Sequence, residues 1–188
     1  MTATRSKTTD KIRVNKTDAA RRQIDSAIRM LFSGEDPLAI FALTVAAMNI
    51  LRTLSGRRTY HGLREALKAG AHPMSEEEFW RRVQRPESRF KRAEKDLDAI
   101  LDGGDSSDID WTLFMSCLCY KDLGFQYTPE MSAFTAWHAA VYHRDLLEAE
   151  KSPGGAKSFA SKLAGKPRKE QLRLGKEFIT RMRLRAGI

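Results

Sequence analysis

Hydrophobic residues recur at helical spacing along most of this chain. The densest run, DPLAIFALTVAAMNILRTL at residues 36–54, is apolar on every side of a helical projection. A helix that is apolar all round must be covered on all sides, so we expect a buried central helix at about 37–54. The run is shorter than the roughly 20 apolar residues that cross a bilayer, and it includes polar side chains. No transmembrane span is therefore expected.

The rest of the pattern predicts further helices and no strands. Capping residues followed by apolar residues at i, i+3 and i+4 mark the helix starts, with caps expected at Thr17 or Asp18 and at Asp108. No segment alternates with β-branched residues, so we expect an all-α helical bundle. The other predicted helices span about 18–33, 60–69, 76–84, 87–101, 109–123, 128–142 with an extension at 145–150, 156–164 and 168–186.

Composition divides the chain into three segments. Residues 1–16 are polar and basic, and we expect a disordered arm there. Residues 17–150 form the helical bundle domain, and SPGG at 152–155 opens a basic C-terminal extension over 151–188. Its last helix is predicted to be amphipathic. On a projection one side carries Leu172, Gly175, Ile179, Met182 and Ala186, and the opposite side carries Lys169, Arg173, Lys176 and Arg183.

The net charge of +9 is unevenly distributed. Residues 1–22 carry a net +5, residues 23–150 a net −5, and residues 151–188 a net +9. An acidic body between two basic ends suggests a nucleic acid or an acidic surface as partner. The alternative is that the basic ends keep the protein soluble or dock on the acidic body.

Arginines are densest in the run RRVQRPESRFKRAEKD at residues 81–96. Several would share a helix face, where guanidinium forks can hold phosphates. The alternative is a solvated helix face with Glu/Lys pairs at i, i+4. The predicted nucleic-acid-binding residues in this run and in the extension are Arg81, Arg82, Arg85, Arg89, Arg92, Lys169, Arg173, Lys176 and Arg183.

The sequence carries no recognisable catalytic or metal-binding motif. Cys117 and Cys119 point to different sides of a helix, and His138 and His143 are five residues apart, so neither pair suits a metal ion. We therefore expect no metal and no cofactor. The two cysteines do not form a secreted disulfide framework and no signal peptide is recognisable, so a cytoplasmic location is expected.

Residues 17–148 resemble an uncharacterised bacterial family of all-helical proteins. The likeness rests on TDAARRQIDSAIRMLFSGEDPLAIFALTVAAMNIL, in which a turn with Asp and Pro leads into a helix with an alanine pair. It also rests on SRFKRAE at 88–94, where the family pattern reads N-F-F-K-H-A-D, and on TPEMSAFTAW at 128–137. The segment after residue 150 lies outside the resemblance.

This family's helical layout resembles HEPN domains, many of which are ribonucleases. Their active motif is an arginine and a polar residue, followed by a histidine after four to six intervening positions. Here Arg92 stands where that histidine would be, and no arginine is followed by a histidine at that spacing. Loss of the histidine removes the group that transfers protons near neutral pH. The resemblance thus implies a non-catalytic variant.

Three functional hypotheses follow. The first is a non-enzymatic domain that binds RNA, DNA or a nucleoprotein through its basic segments. The second is a HEPN-like ribonuclease using Arg85, Arg89 or Arg92 with His61 or His138. The third is a protein-interaction or self-association module, in which the apolar face of the C-terminal helix binds a partner, a second copy or an anionic membrane surface.

Overall fold

The structure, a computed structural model, describes residues 13–55, 105–143 and 154–188, with Gly62, Glu65, Ser75, residues 77–81 and Val83. These residues are helical apart from caps and short turns, and no strand occurs among them, which confirms the predicted all-α bundle. The complete helices of this described part are α1 (Lys16–Ser33), α2 (Pro37–Ser55), α3 (Ser106–Asp122), α4 (Pro129–Tyr142), α5 (Gly154–Leu163) and α6 (Arg168–Ala186).

Two helices begin earlier than the sequence predicted. α1 begins at Lys16 because the side chain of Asn15 caps it, accepting the N–H of Asp18 at 2.8 Å. The cap of α3 is Asp105 rather than the predicted Asp108. The side chain of Asp105 accepts the backbone N–H of Asp108 at 2.9 Å. Asparagine and aspartate are both strong N-cap residues, so an extra residue of this type just upstream moves each start. The other described bounds agree with the prediction within two residues.

Several predictions fall on residues that the structure does not describe. These are the arm over residues 1–12 and the helices at 60–69, 87–101 and 145–150. The helix predicted at 76–84 is described in part: residues 77–81 and Val83 are helical, and the Ser75 hydroxyl accepts the N–H of Glu78 at 3.1 Å. That hydrogen bond caps the N-terminus of this helix.

α1 and α2 form the foundation of the bundle. Gly34 ends α1 with a φ of 70°, a left-handed conformation that suits glycine, and Asp36 accepts the N–H of Leu38 at the start of α2. The short turn packs α2 against α1, and α2 also packs against α3. α1 contacts α2, α3, α4 and α6, so it packs against four of the five other described helices.

The bounds predicted for the central helix, α2, are confirmed, but the expectation that it is covered on all sides is wrong, because its buried residues lie mainly on one side. Ile40, Met48 and Leu51 are almost fully buried, whereas Leu43 is half-buried and Leu38 is exposed. Among the described helices, α2 is also the one whose length and composition would be sufficient to cross a membrane. Its buried apolar residues pack on α1 and α3 within the bundle.

The basic extension packs onto the body. α6 contacts α1 and α4, and α5 contacts α4 and α6. The rings of Phe159 and Phe178 stack with centroids 4.1 Å apart, and Trp137 Nε1–H donates to the carbonyl oxygen of Gln171 at 3.2 Å. Gly175 and Ile179 are buried, as predicted for the apolar side of α6. The chain itself therefore covers the middle of this apolar face, whereas Leu172 and Met182 are half-buried and Ala186 is exposed.

Gly175→Ala tests how closely α6 approaches α1. A Cβ at this position would overlap the ring of Phe32, which is 3% exposed and meets the Trp137 ring edge-on at 5.5 Å. The ring cannot move without disturbing that contact. Alanine gains about 1 kcal/mol of helix propensity over glycine, but overpacking costs typically 1–3 kcal/mol. We expect a net loss in the free energy of unfolding, measured by urea denaturation.

Thr180→Ala, on the exposed side of α6, is the matched control and should change stability by less than about 0.5 kcal/mol. A Gly175→Ala protein more stable than the wild type would show that the close approach of α6 to Phe32 is wrong.

Candidate nucleic-acid interface

Arg168, at the first position of α6, joins this helix to a carboxylate buried in α3. Its Nη1 and Nη2 donate to Oδ2 and Oδ1 of Asp110 at 2.5 and 2.8 Å, and the Tyr142 hydroxyl donates to Oδ2 at 2.7 Å. Asp110 is 0% exposed. Because the bidentate fork meets both carboxylate oxygens, the buried charge is both neutralised and hydrogen-bonded. Arg168 therefore serves to dock α6.

Arg183 also faces the body, which corrects the predicted projection. It follows Leu172 by eleven residues, about three helical turns, so it lies on the apolar side. Its Nε and Nη2 donate to Oε1 of Glu130, and Nη1 of Arg29 donates to the same oxygen at 3.1 Å. Burial by itself would raise the pKa of Glu130, but the hydrogen bonds from Arg183 and Arg29 hold it below its ordinary value.

Arg173 is exposed but paired within α6. Its Nε and Nη2 donate to the two carboxylate oxygens of Glu170 at 2.9 and 2.7 Å, and its Nη1 donates to Glu177. We call this group the Glu170–Arg173–Glu177 clasp. The arginine holds the pKa of Glu170 below its ordinary value. The clasp uses three of the five guanidinium N–H groups and leaves one on each of Nη1 and Nη2.

The solvent-exposed side of α6 keeps four further cations. Lys169, Lys176, Arg181 and Arg185 are exposed, and none forms an ion pair with a carboxylate of the described residues. We call this side, from Lys169 to Arg185 and including the clasp, the α6 outer face. Its charge therefore stays available to a partner, whereas Arg168 and Arg183 are used by the body.

The arginine-rich run cannot be compared with the α6 outer face. Arg81 is described, and its side chain, 64% exposed, pairs with Glu77 at 3.3 Å in the i, i+4 arrangement. Arg82, Arg85, Arg89 and Arg92 lie outside the described residues. Their role in nucleic-acid binding stays a prediction.

His138, the described histidine of the ribonuclease hypothesis, lies inside the bundle. It is 2% exposed and stacks on Phe114 with ring centroids 4.2 Å apart. Burial, with smaller effects from His143 and Arg168, lowers the pKa of His138 to about 3. The imidazole is therefore neutral at pH 7 and shielded from any substrate in bulk water. His61, the other predicted histidine, is outside the described residues.

The described residues contain no group of three metal-ligating side chains. Cys117 and Cys119 are both buried and are not joined in a disulfide bond, and burial raises the pKa of the Cys117 thiol well above its ordinary value. A thiol with a raised pKa is a poor nucleophile and metal ligand at neutral pH. The two cysteines are thus residues of the hydrophobic core.

Two functional features were missed by sequence reasoning. The first is the Arg168–Asp110 pair. One feature of the sequence could have indicated it: an arginine at a helix start is unfavourable next to the helix dipole, which suggests that it pairs with a carboxylate from another element. The second is the exposed pair of Arg181 and Arg185. On a helical projection both lie away from the apolar side of α6, but the prediction named other basic residues of this helix instead.

Comparisons of the chain with protein-family models, curated proteins and solved structures found no match. The resemblance to HEPN-like bacterial proteins therefore stays a prediction.

Arg168→Gln and Asp110→Asn should destabilise the protein unequally. Without Arg168, the fully buried carboxylate keeps only the Tyr142 hydroxyl, and stranding a buried charge costs about 3–5 kcal/mol. Without the carboxylate charge, Arg168 can turn to water because its side chain is already 33% exposed, so we expect about 1–2 kcal/mol. Urea denaturation of both variants measures the difference. Equal losses would contradict a docking contact centred on Asp110.

His138→Phe should reduce the acid sensitivity of the fold. The folded pKa of His138, about 3, lies below its ordinary value of 6.5, so the unfolded chain takes up a proton first as pH falls. Stability from this group is complete above pH 6.5 and is lost as pH falls towards 3. Between pH 7 and pH 5 we expect a loss of roughly 2 kcal/mol that the phenylalanine variant lacks.

Urea titrations across this pH range measure the free energy of unfolding of the wild type and of His138→Phe, with His143→Phe measured for comparison. Parallel pH curves for wild type and His138→Phe would show that His138 is not held neutral in the fold.

Proposed function

We propose that this protein binds nucleic acid through the phosphate backbone, using the α6 outer face, and that it acts as a binding protein rather than an enzyme. The observation that carries the proposal is the division of cations along α6. Arg168 and Arg183 neutralise the buried acids Asp110 and Glu130, whereas the exposed Lys169, Lys176, Arg181 and Arg185 have no carboxylate partner among the described residues. A polyanion is the partner that such a surface attracts.

The docking of α6 supports this use of the helix. A surface that is fixed on the body loses little conformational entropy when it binds a rigid polyanion. Binding therefore does not carry the free-energy cost of ordering the helix. α6 is fixed at its first turn by Arg168, in its middle by Gly175 against Phe32, and near its end by Arg183. The helix that carries the outward cations is therefore held in one position on the body.

The two other hypotheses have less support. For a ribonuclease, His138 is buried and neutral, and the remaining candidates lie outside the described residues. For self-association through the apolar face of α6, Gly175 and Ile179 are covered by the chain itself, so a partner would first have to displace α6. Nucleic-acid binding through the α6 outer face requires neither an accessible histidine nor the displacement of α6.

Lys169→Gln/Lys176→Gln should weaken binding and reduce its dependence on salt. Each phosphate contact contributes about 0.7–0.9 to the slope of log affinity against log salt. Loss of two contacts should therefore lower the slope by about 1.4–1.8. Fluorescence anisotropy of the full chain with a labelled nucleic acid, between 50 and 200 mM salt, measures both quantities.

Lys121→Gln on α3 is the matched control, because this lysine is exposed, carries the same charge and lies outside α6. It should leave the slope of wild type unchanged. A double variant on α6 that binds as wild type does, with the same slope, would exclude the α6 outer face as the interface.

A further inference from the structure

The cations of the α6 outer face lie in two rows. At 100° per residue, Lys169 and Lys176 differ by about 20° around the helix, and Arg181 and Arg185 differ by about 40°. The centres of the two rows are about 150° apart, so they flank the exposed side of α6 rather than forming one stripe. The remaining half of the helix is packed on α1, α4 and α5. α6 therefore presents a half-cylinder with cations along both margins.

A half-cylinder of this kind matches the major groove of B-form DNA. An α-helix with its side chains is about 10–12 Å across, and the major groove is about 12 Å wide. Phosphates line both walls of the groove, one strand on each side. A helix with cations on both margins can thus contact both strands at once. From Lys169 to Arg185 the rise is about 24 Å, the length of about seven base pairs.

We propose that the nucleic acid bound by this protein is a B-form DNA duplex and that α6 lies in its major groove. The inference rests on the proposed function and adds the class of nucleic acid and the mode of binding. Lys169 and Lys176 contact the phosphates of one strand, and Arg181 and Arg185 contact those of the other.

The residues between the two rows then face the base edges. They are Glu170, Arg173, Glu177, Thr180 and Leu184; Glu170 is half-buried and the other four are exposed. The clasp fixes Arg173 and leaves one N–H on each of its Nη atoms, a fork that can donate to O6 and N7 of guanine. Leu184, with 73% of its surface exposed, is placed to contact a thymine methyl group.

Other polyanions fit this surface less well. The major groove of A-form RNA is too narrow and deep for side chains to read. Single strands are held by exposed aromatic rings on which bases stack, and Phe178, the aromatic residue of α6, is half-buried against Phe159. A second copy of the chain would bring like charges together.

The decisive experiment compares matched ligands with the full chain. Anisotropy at 100 mM salt would use a labelled 20-base-pair DNA duplex of mixed sequence, the same sequence as an RNA duplex, and each DNA strand alone. We expect the DNA duplex to bind at least tenfold more tightly than the others. Lys169→Gln/Lys176→Gln and Arg181→Gln/Arg185→Gln should each lower the salt slope on DNA by about 1.8.

A second arm tests the groove. Replacing guanine by 7-deazaguanine removes the N7 acceptor from the major groove and leaves the phosphates unchanged. Wild type should lose about fivefold or more in affinity, and Arg173→Gln should be insensitive to the replacement. A ligand that fills the minor groove should not compete.

The outcomes separate this inference from the proposed function. RNA or single strands bound as tightly as the DNA duplex, through the same cations, would overturn the duplex assignment and leave nucleic-acid binding in place. Equal binding of the deaza duplex by wild type would overturn the major-groove placement. Binding to anionic vesicles with no affinity for any nucleic acid would overturn both proposals.

Discussion

The Asp110 carboxylate has no exposed surface, and its charge must be met inside the fold. Arg168 meets it with a bidentate fork from the start of α6, and Tyr142 adds a third hydrogen bond. Glu130 repeats the arrangement with Arg183 near the end of the same helix. Burying a charge is costly unless it is paired and hydrogen-bonded, so these two contacts fix the position and rotation of α6 more narrowly than its apolar residues could. That rotation also determines which cations of α6 face water.

The rotation of α6 connects its docking to its proposed activity. With Arg168 and Arg183 turned inwards, the clasp and the two rows of cations are turned outwards. The close contact between Gly175 and Phe32 allows the helix to sink into the body, which leaves only half of its circumference exposed. A third buried carboxylate, Asp25, is served differently: it accepts the Thr128 hydroxyl at 2.6 Å and pairs with Arg21 of its own helix. It makes no demand on α6.

The fold was largely accessible from the sequence, because it depends on local periodicity and caps. The bounds of α2, α4 and α6 follow from apolar spacing and from Pro or Thr at the helix starts, and only an additional capping residue upstream moved the starts of α1 and α3. The α6 outer face was only partly accessible. Lys169 and Lys176 are exposed as predicted, but Arg183 is not, since its partner Glu130 is 53 residues away and pairing at that range leaves no periodic signal. The same limit hid Asp110, which looked like an ordinary residue of a helix's first turn.

The long sequence separation of these ion pairs also has a consequence for biosynthesis. Arg168 follows Asp110 by 58 residues, and a ribosome adds about 5–20 residues per second. For roughly 3–12 s after Asp110 is made, its partner does not yet exist. During that interval the nascent helices α3 and α4 cannot close over Asp110 without leaving its charge unpaired, whereas Glu130 already has Arg29 of α1 as a partner. The final packing of the body thus waits for α6, and the nascent chain stays loosely associated until that helix has emerged.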